Sequence, residues 1–231
     1  MHRQTLRRAF YASLPVMVGY VIIGFGFGIL LRSAGYGLLW ACAMSLFIYA
    51  GSMQYVGVSL ITAPASLLTA ALTTLMINAR HLFYSISMIG KYAGAGKWKP
   101  YLVFALTDET YALLSGQPEQ QEDFYPFCFF TSLFNHVYWI LGTALGSLLA
   151  SALPFPTEGI GFSMTALFVS AYTEQWLEGS HRLSAALGLG VTLLMRLIFG
   201  RDLFLIPAMI GISVLLLGLR KKLQKEEPAH D

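Results

Sequence analysis

Residues 9–31 read AFYASLPVMVGYVIIGFGFGILL, an unbroken run without a charged side chain. A helix rises about 1.5 Å per residue, so about 20 such residues cross the hydrocarbon core of a bilayer. Arg3, Arg7 and Arg8 stand just before the run. A secretory signal has the same order of basic and then apolar residues. Its apolar core is shorter, however, and no small-x-small cleavage site ends this run before the next begins, so the stretch is read as a retained first helix.

The same composition continues along the chain. Of 231 residues 56% are hydrophobic and 12% charged, about half the charged fraction usual for soluble domains, and the mean hydropathy is +0.61. Further apolar stretches lie near 38–61, 66–90, 100–116, 125–150, 160–177, 183–199 and 203–219, the first running from 13 to 31. The expected fold is an all-α integral membrane protein with seven to eight hydrophobic segments, forming one transmembrane domain over 1–231. The 22 glycines fit helices that pack closely where apolar burial no longer drives association. Cys42 and Cys128 both sit in apolar stretches without a CxxC or a Cys/His cluster, which argues against a disulfide framework or a structural zinc. No cofactor, catalytic constellation or nucleic-acid patch is expected.

Two stretches are expected to be broken or re-entrant. The second carries Tyr49-Ala-Gly-Ser-Met-Gln54 at its centre and the third carries Asn78-Ala-Arg-His81. Polar or irregular backbone at that depth is tolerated only where it is buried in protein or lines a cavity.

The halves 1–116 and 124–225 resemble each other, which points to an internal two-fold repeat. Gly24 and Gly28 match Gly142 and Gly146; Phe47, Ala50, Gln54 and Tyr55 match Phe168, Ala171, Gln175 and Trp176; Leu68–Leu72 matches Leu183–Leu187. Many secondary transporters consist of two repeats with the substrate site between them. Arg220, Lys221, Lys222 and Lys225 follow the last stretch, so both termini are expected in the cytoplasm by the positive-inside rule. Lys91, Lys97 and Lys99 would fall outside if the first three stretches all crossed. With the second or third re-entrant, each half makes three crossings, the loop with Glu119, Glu122 and Asp123 lies outside, and the repeats are inverted; this is favoured over eight crossings with parallel repeats.

Ionisable groups inside membrane segments are costly and usually face a cavity or one another. Here they are Arg80 and His81, Asp108 and Glu109, His136, Glu174 and Arg196. An Arg80–Asp108 pair could simply fix helix packing. The alternative is a site for a zwitterion, with a guanidinium fork for a carboxylate and a carboxylate for an ammonium group or a proton. Gln54 and Asn78 add neutral hydrogen-bonding groups, and the break at Tyr49 would aim half-helix backbone groups at a polar ligand; either amide could equally bond one helix to another. The candidate substrate or coupling residues are therefore Tyr49, Gln54, Asn78, Arg80, His81, Asp108 and Glu109. Trp40, Trp98, Trp139 and Trp176 are assigned to the interfacial belt or to packing.

The strings YAGSMQYV (49–56), INARHLFYSISM (77–88), FALTDETYALL (104–114) and FSMTALFVSAYTEQW (162–176) resemble the signature stretches of the AzlC family, the large subunit of bacterial branched-chain amino acid exporters. The resemblance runs over almost the whole chain. It implies valine, leucine, isoleucine and analogues such as azaleucine as substrates, outward transport across the bacterial cytoplasmic membrane, and a small membrane partner of the AzlD kind. Family members often carry an acid near the start of the sixth segment, where this chain has Phe162-Ser163. The competing readings are a permease subunit of an ATP-driven amino acid transporter, which would need a cytoplasmic coupling loop longer than any here, and a channel. An intramembrane enzyme finds no GxSxG, HExxH or paired-aspartate motif to support it.

Overall fold

The computed structural model describes residues 2–63, 65–119, 122–152, 159, 162–177 and 182–223, and the described residues contain helices and no strand. They divide into two compact units, Met1–Ser163 and Met164–Asp231. The helices are α1 (His2–Ser33), α2 (Leu38–Phe47), α3 (Gly51–Thr62), α4 (Leu67–Met88), α5 (Lys99–Phe104), α6 (Asp108–Ser115), α7 (Phe124–Ala152), α8 (Phe162–Leu177), α9 (Arg182–Leu203) and α10 (Leu205–Leu223). Among the described residues three helical stretches are long and apolar enough to cross a membrane: Arg3–Ser33 of α1, all of α7, and Arg182–Gly200 of α9. Large apolar residues stand exposed on them, among them Ile22, Leu141, Leu145 and Leu197. Such a surface suits lipid and not water.

In the first unit α1 and α7 form the scaffold. Arg8 meets Asp123, Phe10 meets Phe134, Gly24 lies against Trp139 and Thr143, and Gly28 against Thr143 and Ser147. Residue numbers climb together on both sides, so the helices run parallel. A Cβ on Gly24 would stand 3.0 Å from the Trp139 carbonyl oxygen and one on Gly142 2.7 Å from that of Val21. Gly28 and Gly146 are tighter still, against the carbonyl oxygens of Thr143 and Phe25. Backbone meets backbone along this seam, which only glycine permits. The offset of 118 that matches the glycine pairs also relates what they touch, Val21 and Phe25 corresponding to Trp139 and Thr143.

The second sequence stretch breaks where expected. Tyr49 adopts φ +43 and Ala50 φ −132, ψ 86, which ends α2 and starts α3 in a new direction. Met44 lies 3.7 Å from the position of a Cβ on Gly57, and the Gln54 amide donates to the Ser45 hydroxyl at 3.3 Å. A straight helix would separate residues 44 and 57 by about 20 Å. The two half-helices therefore turn back on each other, and the stretch is re-entrant.

The third stretch is not broken, contrary to expectation. α4 is one continuous helix of 22 residues through Asn78, Arg80 and His81, because the side-chain partners of its polar centre come from neighbouring helices and its backbone ladder is undisturbed. The break lies in the fourth stretch instead, between α5 and α6. Ala105 has ψ 14 and Thr107 ψ 174, and the Thr107 hydroxyl accepts from the Thr110 amide as an N-cap. Leu102 on the way in and Leu114 on the way out share one apolar cluster with Ala9, Met88, Tyr92 and Phe127, so this pair is a hairpin too. Burial in that cluster raises the Tyr92 phenol well above its ordinary range, and it stays neutral.

The two hairpins enter from opposite ends of the α1/α7 pair and meet at their tips, where the Tyr49 and Phe104 rings lie 6.3 Å apart. Lys91 donates to the carbonyls of Ser115 and, at 3.0 Å, Gln117, while Trp98 packs on Phe129 at 4.5 Å. The lysine-bearing connection thus lies at the Arg8 end, as its charge demands. Asp123 lies at that end as well, so α7 starts at the end where α1 starts. Each hairpin turns back toward the end from which it enters.

In the second unit α9 packs along α10, with a Cβ on Gly211 falling 3.1 Å from Val191 and 3.6 Å from Met195. α9 is kinked at Gly200, whose φ of +76 a side chain would strain. Arg196 is exposed on α9. The side chains of Phe168, Ala171, Glu174 and Gln175 lie outside the described residues, as do residues 224–231 with Lys225.

Candidate functional site

Where the hairpin tips meet, two half-helix N-termini, those of α3 and α6, face the middle of α4. Each leaves backbone N–H groups without helical acceptors and carries the positive end of a helix dipole. Arg80, on α4, bridges them. Its Nη1 lies 2.6 Å from Asp108 Oδ2 in the first turn of α6, and its Nη2 donates to Ser52 Oγ at 2.6 Å in the first turn of α3. Both side chains are about four-fifths buried or slightly less (19% and 27% exposed), so the pair is held but not sealed. A lone charge at such a depth costs roughly 3 kcal/mol or more, which pairing offsets.

Glu109 points elsewhere. Neighbours on a helix project about 100° apart, and its Oε2 accepts from the Tyr20 hydroxyl of α1 at 2.6 Å. Tyr20 also lies 2.6 Å from Thr107 Oγ1, and the Thr107 hydroxyl donates to Thr110 at 3.0 Å, which accepts from the Asn135 amide of α7 at 3.0 Å. The two adjacent acids therefore belong to two networks, one ionic with α4 and one hydroxylic with α1 and α7.

Tyr49, at the strained tip of the first hairpin, stacks on His136 with ring centroids 4.1 Å apart. His136 is itself tied by Nδ1 to the Tyr101 hydroxyl at 3.1 Å and by Nε2 to the Ser45 carbonyl at 3.1 Å. Aromatic rings also surround the Arg80 side: Tyr84 stacks on Tyr111 at 4.8 Å and His81 stands edge-on to Tyr84 at 5.9 Å.

Of the seven residues proposed from sequence, the fold brings Arg80 and Asp108 into contact and sets Glu109 and Tyr49 beside them. Gln54 is fully buried and takes the helix-to-helix role: it accepts from Trp139 Nε1 at 2.9 Å and donates to Ser45. Trp139 is accordingly a core residue, 3% exposed, and no part of an interfacial belt. Asn78 stays inside α4 with its Oδ1 buried and unmatched, and His81 Nδ1 bonds the Asn78 carbonyl at 3.2 Å. Tyr20, Ser52, Thr107 and Asn135 escaped the sequence reading. Thr107-Asp-Glu-Thr110 did carry a signal, since a hydroxyl N-cap before two acids marks a helix start. Nothing local marks Tyr20 or Asn135, whose partners lie about ninety and twenty-five positions away.

A separate groove of about 330 Å³ at the start of α1 is lined by Gln4, Thr5, Arg8, Glu122 and Asp123 and contains none of these residues. Among the described residues no three His, Cys, Asp or Glu are placed to hold a metal ion.

Comparison with known proteins places this geometry in a lineage. The family profile described as AzlC protein matches residues 15–153. The branched-chain amino acid transport protein AzlC of Bacillus subtilis is 40% identical over 222 residues, covering 96% of this chain and 87% of that protein. An uncharacterized membrane protein of Haemophilus influenzae is 41% identical over 217 residues, 92% of this chain and 88% of its own. Inner membrane protein YgaZ of Escherichia coli is 31% identical over 169 residues, 68% of each. No solved structure matches. The matched region takes in α1 from residue 15, all of α7 and both hairpins with their Arg80–Asp108 bridge, and on that match the chain belongs to the AzlC family.

Proposed function

We propose that the chain is the large subunit of a secondary transporter that moves branched-chain amino acids outward across the cytoplasmic membrane. The observation that carries this reading is the Arg80–Asp108 pair held between two half-helix N-termini. A zwitterion can insert into such a pair. Its carboxylate replaces Asp108 on the guanidinium and gains the N–H groups of the α3 terminus, and the released Asp108 takes its ammonium. Every charge keeps a partner throughout, so occupied and empty states differ little in cost at mid-depth. The surrounding rings of Tyr49, Phe104 and Tyr84 offer apolar surface to a branched side chain. The B. subtilis relative's name supports the substrate class.

Arg7 and Arg8 at one end of α1, with Lys91, Lys97 and Lys99 at the same end, support a cytoplasmic N-terminus. The exported amino acid would then enter from the end closed by the Tyr92 and Phe127 cluster. A small AzlD-like membrane subunit completes the transporter in this reading. The test is counterflow of labelled valine in vesicles containing both subunits. Saturable exchange that other branched-chain amino acids inhibit supports the proposal. A conductive leak without counterflow would identify a channel, and dependence on ATP would identify a pump.

A further inference from the structure

Three side-chain oxygens on one turn of α7, Thr131 Oγ1, Ser132 Oγ and Asn135 Oδ1, are buried with no hydrogen-bond partner in the protein, and their residues are 0% exposed. Buried polar groups are nearly always satisfied, and where protein does not serve them, water does. Asn135 ties this turn to a relay of hydroxyls that ends at Glu109. Asn135 donates to Thr110, Thr107 to Thr110, Thr107 is bonded to Tyr20, and Tyr20 donates to Glu109.

The charges at the other end of the relay do not balance. The groups that bear on Glu109 are Tyr20 from α1, Tyr49 from the first hairpin tip, Arg80 and Tyr84 from α4, and Asp108 from its own helix. His81 lies by Arg80 and Asp108, and His136 of α7 packs on Tyr49. One permanent cation, Arg80, serves two carboxylates. Asp108 holds it directly, whereas the side chain that donates to Glu109 is a neutral hydroxyl. Two like charges this close at mid-depth favour a proton on one of them.

We infer that Glu109 carries a proton through the transport cycle and exchanges it along a hydrated seam formed by Thr107, Thr110, Asn135, Thr131 and Ser132. The inference rests on the transport reading above and adds its driving ion. A proton reaching the seam moves onto Glu109 by way of Tyr20: the phenolic O–H bond breaks as the carboxylic O–H forms, and a seam water gives a proton to the phenol as it takes up the incoming one. Tyr20 gains no net charge, and Glu109 becomes neutral. The reverse sequence discharges it. Substrate insertion at Asp108 is electrically neutral, so a proton on the next residue of the same half-helix supplies what a neutral solute lacks, a coupled gradient.

The experiment uses proteoliposomes holding the chain with its small subunit and a trapped pH-sensitive dye. In the native protein a valine gradient drives a proton flux in the opposite direction. Glu109→Gln lowers that flux about a hundredfold, the range of a lost positioned proton carrier, and the residual valine exchange no longer varies with pH. Asn135→Leu and Tyr20→Phe, read in the same way, slow proton flux more than exchange, and Asn135→Ser restores part of it. Native exchange of valine without any dye response would overturn proton coupling while sparing the transport reading. No native exchange at all would overturn both. Undiminished proton flux in Glu109→Gln removes Glu109 from the role. Should that variant fail to reach the bilayer, undiminished flux in both Tyr20→Phe and Asn135→Leu overturns the seam.

Discussion

The seam between α1 and α7 and the meeting point of the two hairpins lie side by side and are built on opposite principles. Along the seam, four glycines let backbones touch, and Ser45, Thr143 and Trp139 close the remaining bonds: Ser45 donates to Thr143 at 3.0 Å and Thr143 to the Trp139 carbonyl at 2.8 Å. No side chain there has room to choose. At the hairpin tips the backbone is interrupted twice, Tyr49 sits in a left-handed conformation, and contact is made by long polar side chains with alternatives. Helix contacts without slack make a frame, whereas short half-helices joined by exchangeable bonds make a part that can move against it. On the proposed transport reading, the conformational change is assigned to the hairpins, with α1 and α7 as the fixed reference.

The comparison breaks first, and most severely, if the seam tolerates bulk. Gly146→Leu drives a side chain into the Phe25 backbone and should cost more than about 3 kcal/mol, since neither partner can yield. Size-exclusion chromatography in detergent should show little monodisperse protein. A well-behaved variant would mean that the frame is not rigid.

At the tips the expected loss is in transport, with folding spared. Arg80→Lys keeps the charge but gives up one charge-assisted bond of the fork, about 1.5–3 kcal/mol, or roughly ten- to hundredfold in valine exchange. The double variant Arg80→Gln with Asp108→Asn removes both charges together. It should regain the yield that Arg80→Gln alone loses, yet remain inactive. Normal exchange from either protein would reduce the pair to helix packing.

A smaller effect is expected at the α6 start. Thr107→Ala removes the N-cap and should cost about 1 kcal/mol. Because the same hydroxyl bonds Tyr20, exchange should fall along with the midpoint of thermal unfolding. Unchanged stability would show that α6 needs no cap to turn back.

The smallest effect serves as the control on the glycines. A Cβ on Gly188 of α9 meets nothing within 4 Å, so Gly188→Ala should change stability by no more than about 1 kcal/mol, in the stabilising direction that helix propensity favours. Destabilisation as large as at Gly146 would erase the distinction between the two glycine faces.

Several of these features were legible in the linear chain. Apolar runs of spanning length specify a helical membrane protein, because lipid leaves backbone groups no other way to be satisfied. The second segment announces its break through Tyr49-Ala-Gly-Ser, small and polar residues where a simple span has none. Arg80 and Asp108 could be paired on paper, since opposite charges are scarce at that depth and costly apart. Other features had no local trace. Asn78 looked like a helix breaker, yet α4 runs through it, because its polar centre is served by Ser52 and Asp108 from hairpins that fold over it. That α2–α3 turns back, that α1 and α7 run parallel, and that Gln54 is spent on Trp139 while Glu109 finds Tyr20 all depend on contacts between residues tens of positions apart. A helix sequence records which residues share a face, but the direction that face looks is set by what packs against it, and only the tertiary structure decides that.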